Sequence, residues 1–434
     1  MRVKLEQGVV NVHKFKEQLL QWTKHFKHIV WLDSNSYPEI KTQYQAILAV
    51  DAGKIFQTES KNAVEELKAY RQNNKDWLFG YFSFDIEEKS KGVQKREEQL
   101  CFPKVCFFHP QKIFFLKENS VEIHYDINKE QEIVQDWNDI NKIEVKETSV
   151  NSLNLDIIPK LSRPHYLEKV KKIQSYIKEG QLAEVNFCQE FYANGEIDPL
   201  ETFLQLNAIS KAPFASYMRI EEKYAMCTSP ERYLSHQDSV IISQPIKGTA
   251  KRKKKMWEDR KVREALESNE KEILENTMIA EMLVDELYLI AQEGSVRITE
   301  LCKAYTFEQV HQLISTVECL LKPELNALDA IKATSPMGSM TGTPKEKSLE
   351  IIGELENFNR GLYSGSIGYI APNDNFDFNV VIRTILYNAA KQYISFAAGG
   401  AITELSVPEV EYEESMLKVK AMEQILGKIN NHYE

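Results

Sequence analysis

Two residues sixteen positions apart carry the most suggestive chemistry of this 434-residue chain: Lys247 in Pro245-Ile246-Lys247-Gly248-Thr249, and Glu231 in Ser229-Pro230-Glu231-Arg232. A lysine attacks carbon only as the neutral amine, so a nucleophilic Lys247 needs desolvation or nearby positive charge to lower its pKa. A carboxylic acid close by could then protonate a departing group. A lysine before a glycine is ordinarily a solvated loop cation, so the pair gains meaning only from the rest of the chain.

Paired carboxylates form the second group. Glu411, Glu414 and Lys418 fall at i, i+3 and i+7 of an apparent C-terminal helix, and Glu272 and Glu275 repeat the three-residue step in another. That spacing puts each pair on one helix face. Two such faces could hold Mg²⁺, a hard cation that prefers oxygen ligands; the same acids are equally at home on solvated helix faces near N-termini. Other motifs fail. Gly338 to Lys345 (GSMTGTPK) lacks the spacing and ending of a phosphate loop, and GxGxxG, HExxH and GxSxG are absent. No cysteine lies between glycines in a nucleophile elbow, so glutaminase and serine-hydrolase machinery is not evident.

These residues need a scaffold, and the composition can build one. A hydrophobic content of 43% with 27% charged residues is that of a globular protein. The apolar runs are too short to span a bilayer, and the start MRVKLEQG has no signal-peptide core. Six scattered cysteines, with no C-x-x-C pair, fit a reduced cytoplasmic setting without disulfides or structural zinc. The net charge of −10 disfavours a nucleic-acid surface, and Lys251 to Lys255 (KRKKK) reads as a solvated run before an acidic helix.

Residues 1–150 look β-rich, with short aromatic and branched runs at Ile47 to Val50, Trp77 to Phe84, Val105 to Phe108, Ile113 to Leu116 and Val121 to Tyr125. Residues 139–163 are polar and aperiodic, the best linker candidate before a second region, 151–434. There, Tyr166, Val170, Ile173 and Ile177 mark a helix. Val185, Phe187 and Phe191 alternate with Glu184, Asn186, Cys188 and Glu190 as a strand. A helix is expected near Asn269 to Gln292, strands at Gly365 to Ile370, Phe378 to Leu386 and Tyr393 to Ala398, and a last helix from Pro408. Strands and helices mix without βαβ alternation, which predicts antiparallel sheets with helices outside.

These segments, in this order, resemble the chorismate-binding enzymes, the family that includes anthranilate-, aminodeoxychorismate-, isochorismate- and salicylate-forming members. The resemblance runs from about Tyr166 to the C-terminus. It rests on NFCQEF (186–191), SPER (229–232), PIKGT (245–249), KEILEN (271–276), VHQLIST (310–316), TGTPK (341–345), RGLYSGSIGY (360–369), VIRT (381–384), AAGGAI (397–402) and PEVEYEES (408–415). WLDS (31–34) and FGYFSFD (79–85) extend it more loosely.

The resemblance implies an α+β fold, two antiparallel sheets packed face to face with helices outside, as a single large unit. A lysine in PIKGT, where the anthranilate branch has alanine, implies amination of chorismate at ring carbon 4 toward para-aminobenzoate and folate. Lys247 would attack ring carbon 2, Glu231 would protonate the leaving hydroxyl, and ammonia from a separate glutaminase subunit would then displace the lysine. Glu275 and Glu414 would bind Mg²⁺, with Glu272 and Glu411 holding its waters. Arg383, Tyr369, Gly399 and Gly400 would hold the enolpyruvyl carboxylate, with Gly248 and Thr249 also lining the substrate site.

Three positions depart from the family pattern: Gln312 where histidine is frequent, Ala398 where glycine is usual, and Glu184 where glutamine is common. Isochorismate and salicylate formers carry a lysine base at the last of these, so its absence argues against addition of water to chorismate. The competing expectations are an anthranilate-forming lyase and a catalytically silent relative that binds an amino acid or a partner.

Overall fold

The computed structural model describes residues 1–37, 44–86, 98–145 and 148–430. Its strands join one hydrogen-bonded network that branches at the long strand Val105–Leu116. One edge of that strand pairs along its length with Ala46–Thr58. The other edge takes Leu78–Phe82 over Val105 to Phe108 and Ser120–Asp126 over Lys112 to Leu116. Two antiparallel ladders leave this junction. The first continues through His28–Asp33, Phe214–Ile220, Lys223–Ser229, Thr384–Asn388 and Tyr393–Ile402 to Glu184–Asn194. The second runs through Ser366–Ile370, Phe376–Asn379, Arg232–Gln237, Val240–Gln244 and Val310–Leu320 to Ile246–Lys251.

The ladders pack face to face, as expected of the fold, through an apolar core drawn from both: Phe187, Met218 and Ala397 from the first, Phe79, Leu234 and Ile241 from the second. Period-two alternation sends the neighbour of Met218, Tyr217, into a second core with Trp31, Phe114 and Ile394. Apolar stripes of the helices Val12–Trp22, Pro199–Ser210 and Pro408–Leu426 cover that outer face with Leu19, Phe203 and Ile425. Strands of residues 1–150 pair directly with strands of the later region, so the β-rich first part is built into the same sheets. Among the described residues no helix is long and apolar enough to cross a membrane.

Several expected elements differ in extent. The two runs between Val105 and Leu116 are one strand. The expected strand Phe378 to Leu386 is interrupted between Asn379 and Thr384, where Arg383 adopts φ 53°, a left-handed conformation that breaks regular strand geometry. The expected linker 139–163 begins inside the helix Ile133–Lys142 and includes the short strand Ile158–Pro159, while residues 146 and 147 lie outside the described residues. In the strand Glu184–Asn194 the polar side of the alternation does not face water: Glu184, Asn186 and Glu190 are all buried.

Candidate active site

Lys247, in the strand Ile246–Lys251 of the second ladder, reaches across to the first. Its Nζ lies 3.0 Å from Oε1 of Glu184, which begins the last strand of the opposite ladder. Lys247 lies in a bulge of the strand Ile246–Lys251 and not in a free turn, and the bulge is held by Asn276, whose side-chain amide donates to the carbonyls of Lys247 (3.2 Å) and Leu313 (3.0 Å). Gly248 makes that bulge possible: its φ of 92° excludes ordinary side chains, and a Cβ there would stand 3.1 Å from Oε2 of Glu272. Thr249 accepts a weak hydrogen bond, at 3.5 Å, from Gln312, whose own buried carbonyl oxygen has no partner.

Burial does desolvate Lys247, as nucleophilicity requires, and by itself would lower its pKa. The carboxylates of Glu184, Glu275 and Glu231 outweigh it, so the amine is held above its ordinary value. The sequence-based expectation of a lowered pKa is corrected here: the resting lysine is a paired ammonium. Glu231 has the opposite environment. It is 5% exposed, and burial pushes its carboxyl up to about 7, against hydrogen bonds from the Ser339 side chain and the Ile246 backbone and the charge of Lys247. A carboxyl that keeps its proton near neutrality suits a general acid.

Ser339 was not apparent as a site residue in the sequence, and its placement depends on a buried ion pair. Arg360 binds Glu356 at 2.6 Å and donates to the carbonyls of Met340 (2.6 Å) and Asn186 (2.8 Å). This ties the turn containing Ser339 to the strand containing Glu184. Removing one partner of such a pair typically costs about 3–5 kcal/mol, because the other charge is left buried.

The four expected metal ligands gather above Gly248 and Gly400. Helix Glu270–Tyr288, capped by the Asn269 side chain on the Glu272 amide, supplies Glu272 and Glu275. Helix Pro408–Leu426 supplies Glu411 and Glu414. An added Cβ at Gly400 would lie 3.6 Å from Glu411 Oε2 and 3.9 Å from Glu414 Oε1, so a bare glycine floors this cradle. Lys271 bridges the helices, 3.7 Å from Glu275 Oε1 and 3.5 Å from Glu411 Oε1. Glu275 Oε1 is buried without a hydrogen bond, and burial raises this carboxyl to about 7 despite Lys247 and Lys271. Among the described residues no three acidic, histidine or cysteine side chains are clustered tightly enough to hold a metal as placed. The cradle nevertheless fits a hard cation: it offers only oxygen donors, one of them unsatisfied, and an ammonium already bridges it.

Lys418 links this cradle to the next subsite, binding Glu414 at 2.7 Å and the Gly399 carbonyl at 2.9 Å, while Arg383 donates to the Lys418 carbonyl at 3.1 Å. A Cβ on Gly399 would meet the Phe187 carbonyl at 2.0 Å, so only glycine permits this close strand approach. Burial lowers the Arg383 pKa, partly countered by Tyr363 and Glu414. Tyr369, expected beside Arg383, is instead in the cavity lined by Ser34, Tyr44, Ile47, Phe214 and Asp377, and its ring packs on Trp77 and Phe79. The tyrosine electrostatically coupled to Arg383 is Tyr363, hydrogen-bonded to Cys188 at 3.5 Å. The correction has a geometric cause: Tyr369 belongs to the strand Ser366–Ile370, whose pairing with Leu78–Phe82 carries it toward the junction, whereas Tyr363 precedes the strand.

The family model described as chorismate binding enzyme matches residues 27–424 of the chain. The aminodeoxychorismate synthase of Arabidopsis thaliana chloroplasts is 30% identical over 424 residues, covering 92% of this chain and 45% of its own length. Aminodeoxychorismate synthase component 1 of Escherichia coli K12 is 35% identical over 354 residues, covering 80% of this chain and 76% of that one. Among solved structures, anthranilate synthase component I from Streptococcus pneumoniae TIGR4 superimposes with a TM-score of 0.77 at 23% identity, over 89% of this chain and 93% of that one.

Proposed function

Because the chain belongs to the family of chorismate-binding enzymes, we propose that it aminates chorismate at ring carbon 4 to give 4-amino-4-deoxychorismate, as an aminodeoxychorismate synthase component I. The observation that carries this reading is a buried lysine in PIKGT whose Nζ is paired at 3.0 Å in the field of a carboxyl that stays protonated to about pH 7. The names of the two relatives above support it. In this reading Lys247 attacks ring carbon 2, the double bond shifts, and the carbon 4 hydroxyl leaves as water with the proton of Glu231. Ammonia then adds at carbon 4 and expels the lysine. Splitting one difficult substitution into two easier ones is the benefit of a covalent intermediate.

Arg383, with Tyr363 beside it and the backbone of Gly399 and Gly400, would orient the enolpyruvyl carboxylate. Glu275 and Glu414 would hold Mg²⁺, with Glu272 and Glu411 completing its surroundings. Bound Mg²⁺ would supply charge neutralisation to the ring carboxylate. Glu275→Gln and Glu414→Gln keep size but remove ligand charge, so each is expected to weaken Mg²⁺ binding by more than about tenfold in calorimetric titration. Unchanged affinity in both variants would remove these residues from the metal site.

The nitrogen source gives the direct test of the reaction. Of the six cysteines, four are buried, Cys302 is half-buried and Cys101 is exposed, and none lies in a glutaminase-like motif. The isolated chain with chorismate, Mg²⁺ and ammonium is therefore expected to form 4-amino-4-deoxychorismate, identified by mass, and to ignore glutamine until a separate glutaminase is added. Anthranilate as the product, or efficient use of glutamine by the chain alone, would overturn the reading.

A further inference from the structure

If Lys247 rests as an ammonium, its proton must go somewhere before nitrogen can attack carbon. Glu184 Oε1 is 3.0 Å from Nζ, within the range required of a general base. Glu184 itself is 2% exposed, and its second oxygen is buried with no hydrogen-bond partner. An orphaned carboxylate oxygen of this kind is costly in a structural ion pair, which is normally satisfied on both oxygens. The backbone around it is held rigidly: Thr343 pairs with Glu184, Ser348 donates to the Glu184 carbonyl at 3.3 Å, and Gly342 approaches that carbonyl so closely that a Cβ there would lie 2.1 Å away.

We infer that Glu184 is a further catalytic residue, the base that takes the proton of Lys247 and returns it at the end of each turnover. This rests on the covalent reading above. The proton passes from Nζ to Glu184, leaving neutral amine and carboxylic acid. The amine forms its bond to ring carbon 2 while the carbon 4–oxygen bond breaks, and the Glu231 proton leaves with that oxygen as water. When ammonia adds at carbon 4, the nitrogen–carbon 2 bond breaks and Lys247 departs as the neutral amine. The incoming nitrogen gives its extra proton to Glu231, and Glu184 reprotonates Lys247. The sum is chorismate plus ammonia giving aminated product plus water, with every residue restored. In this arrangement the lysine need not be held neutral between turnovers, because its proton acceptor is built into the opposite ladder. Glu275 and Glu272 from one helix, and Glu231, also act on the lysine through their charge, while Glu184 holds Nζ at hydrogen-bond distance.

The test is single-turnover formation of the chorismate adduct on Lys247, with Mg²⁺ and no ammonia, followed by mass spectrometry from pH 6 to 10. Glu184→Gln is expected to slow adduct formation by on the order of a hundredfold at pH 7, with the deficit shrinking as pH rises and solvent takes the proton. Glu184→Asp, which keeps the carboxylate on a shorter arm, should fall between the two and serves if the glutamine variant does not fold. If Glu184 only paired the charge, its neutralisation would lower the lysine pKa and leave the rate unchanged or faster at pH 7, and that outcome overturns the inference. An adduct in the wild type that is absent in Lys247→Ala upholds the covalent reading whatever Glu184 does. Absence of any adduct in the wild type overturns both.

Discussion

Lys247→Ala is expected to lower formation of 4-amino-4-deoxychorismate from chorismate and ammonium by at least about a thousandfold, a loss of ~4 kcal/mol in transition-state stabilisation. The variant removes the amine proposed to bond ring carbon 2, and the strand bulge itself survives because Gly248 still supplies the positive φ and Asn276 still binds the residue 247 carbonyl. Glu184 then loses its cation while remaining buried. Loss of one partner of this buried pair should leave the variant folded with a lower melting temperature. Circular dichroism separates this from loss of fold. Near-wild-type amination by the folded variant, or an adduct on another lysine, would end the assignment of Lys247 as nucleophile.

The second large effect concerns Glu231. In the wild type, adduct formation without ammonia should fall as pH rises through about 7, because burial has moved the Glu231 carboxyl there and its acid form is the one that can protonate the leaving hydroxyl. Omitting ammonia matters, since its own deprotonation rises with pH and would mask the fall. Glu231→Gln should slow adduct formation by roughly 10²- to 10⁴-fold, the usual range for a lost general acid, and abolish that descending limb while leaving Mg²⁺ affinity unchanged. A limb that persists in the glutamine variant would assign the proton to another group.

Much of this was readable before any coordinates. Lys247, Glu231 and the carboxylates at i and i+3 were found because each occupies a short local pattern: a glycine-bearing turn, a proline-preceded acid, one face of a helix. Helices with clear periodicity or a proline at the first turn fell where expected, as with Arg163–Lys178, Glu270–Tyr288 and Pro408–Leu426. The strand Phe378 to Leu386 was misread because apolar residues on both sides of Arg383 continue the pattern while its backbone leaves it. The sequence reading names Tyr369 and passes over Tyr363 in the same glycine-rich run, because sequence distance does not tell which tyrosine a strand pairing will carry away.

What the sequence by itself determined is therefore the set of reactive groups and the elements that bear them, since helix faces, turns and caps depend on residues within a few positions of one another. The tertiary structure alone decided the electrostatic state of those groups. Lys247 and Glu184 are 63 positions apart and lie in different ladders, and their meeting reverses the expected pKa shift of the lysine. Charge and desolvation act through space, so protonation is set by which strands face each other, a property of sheet topology that local sequence patterns do not contain.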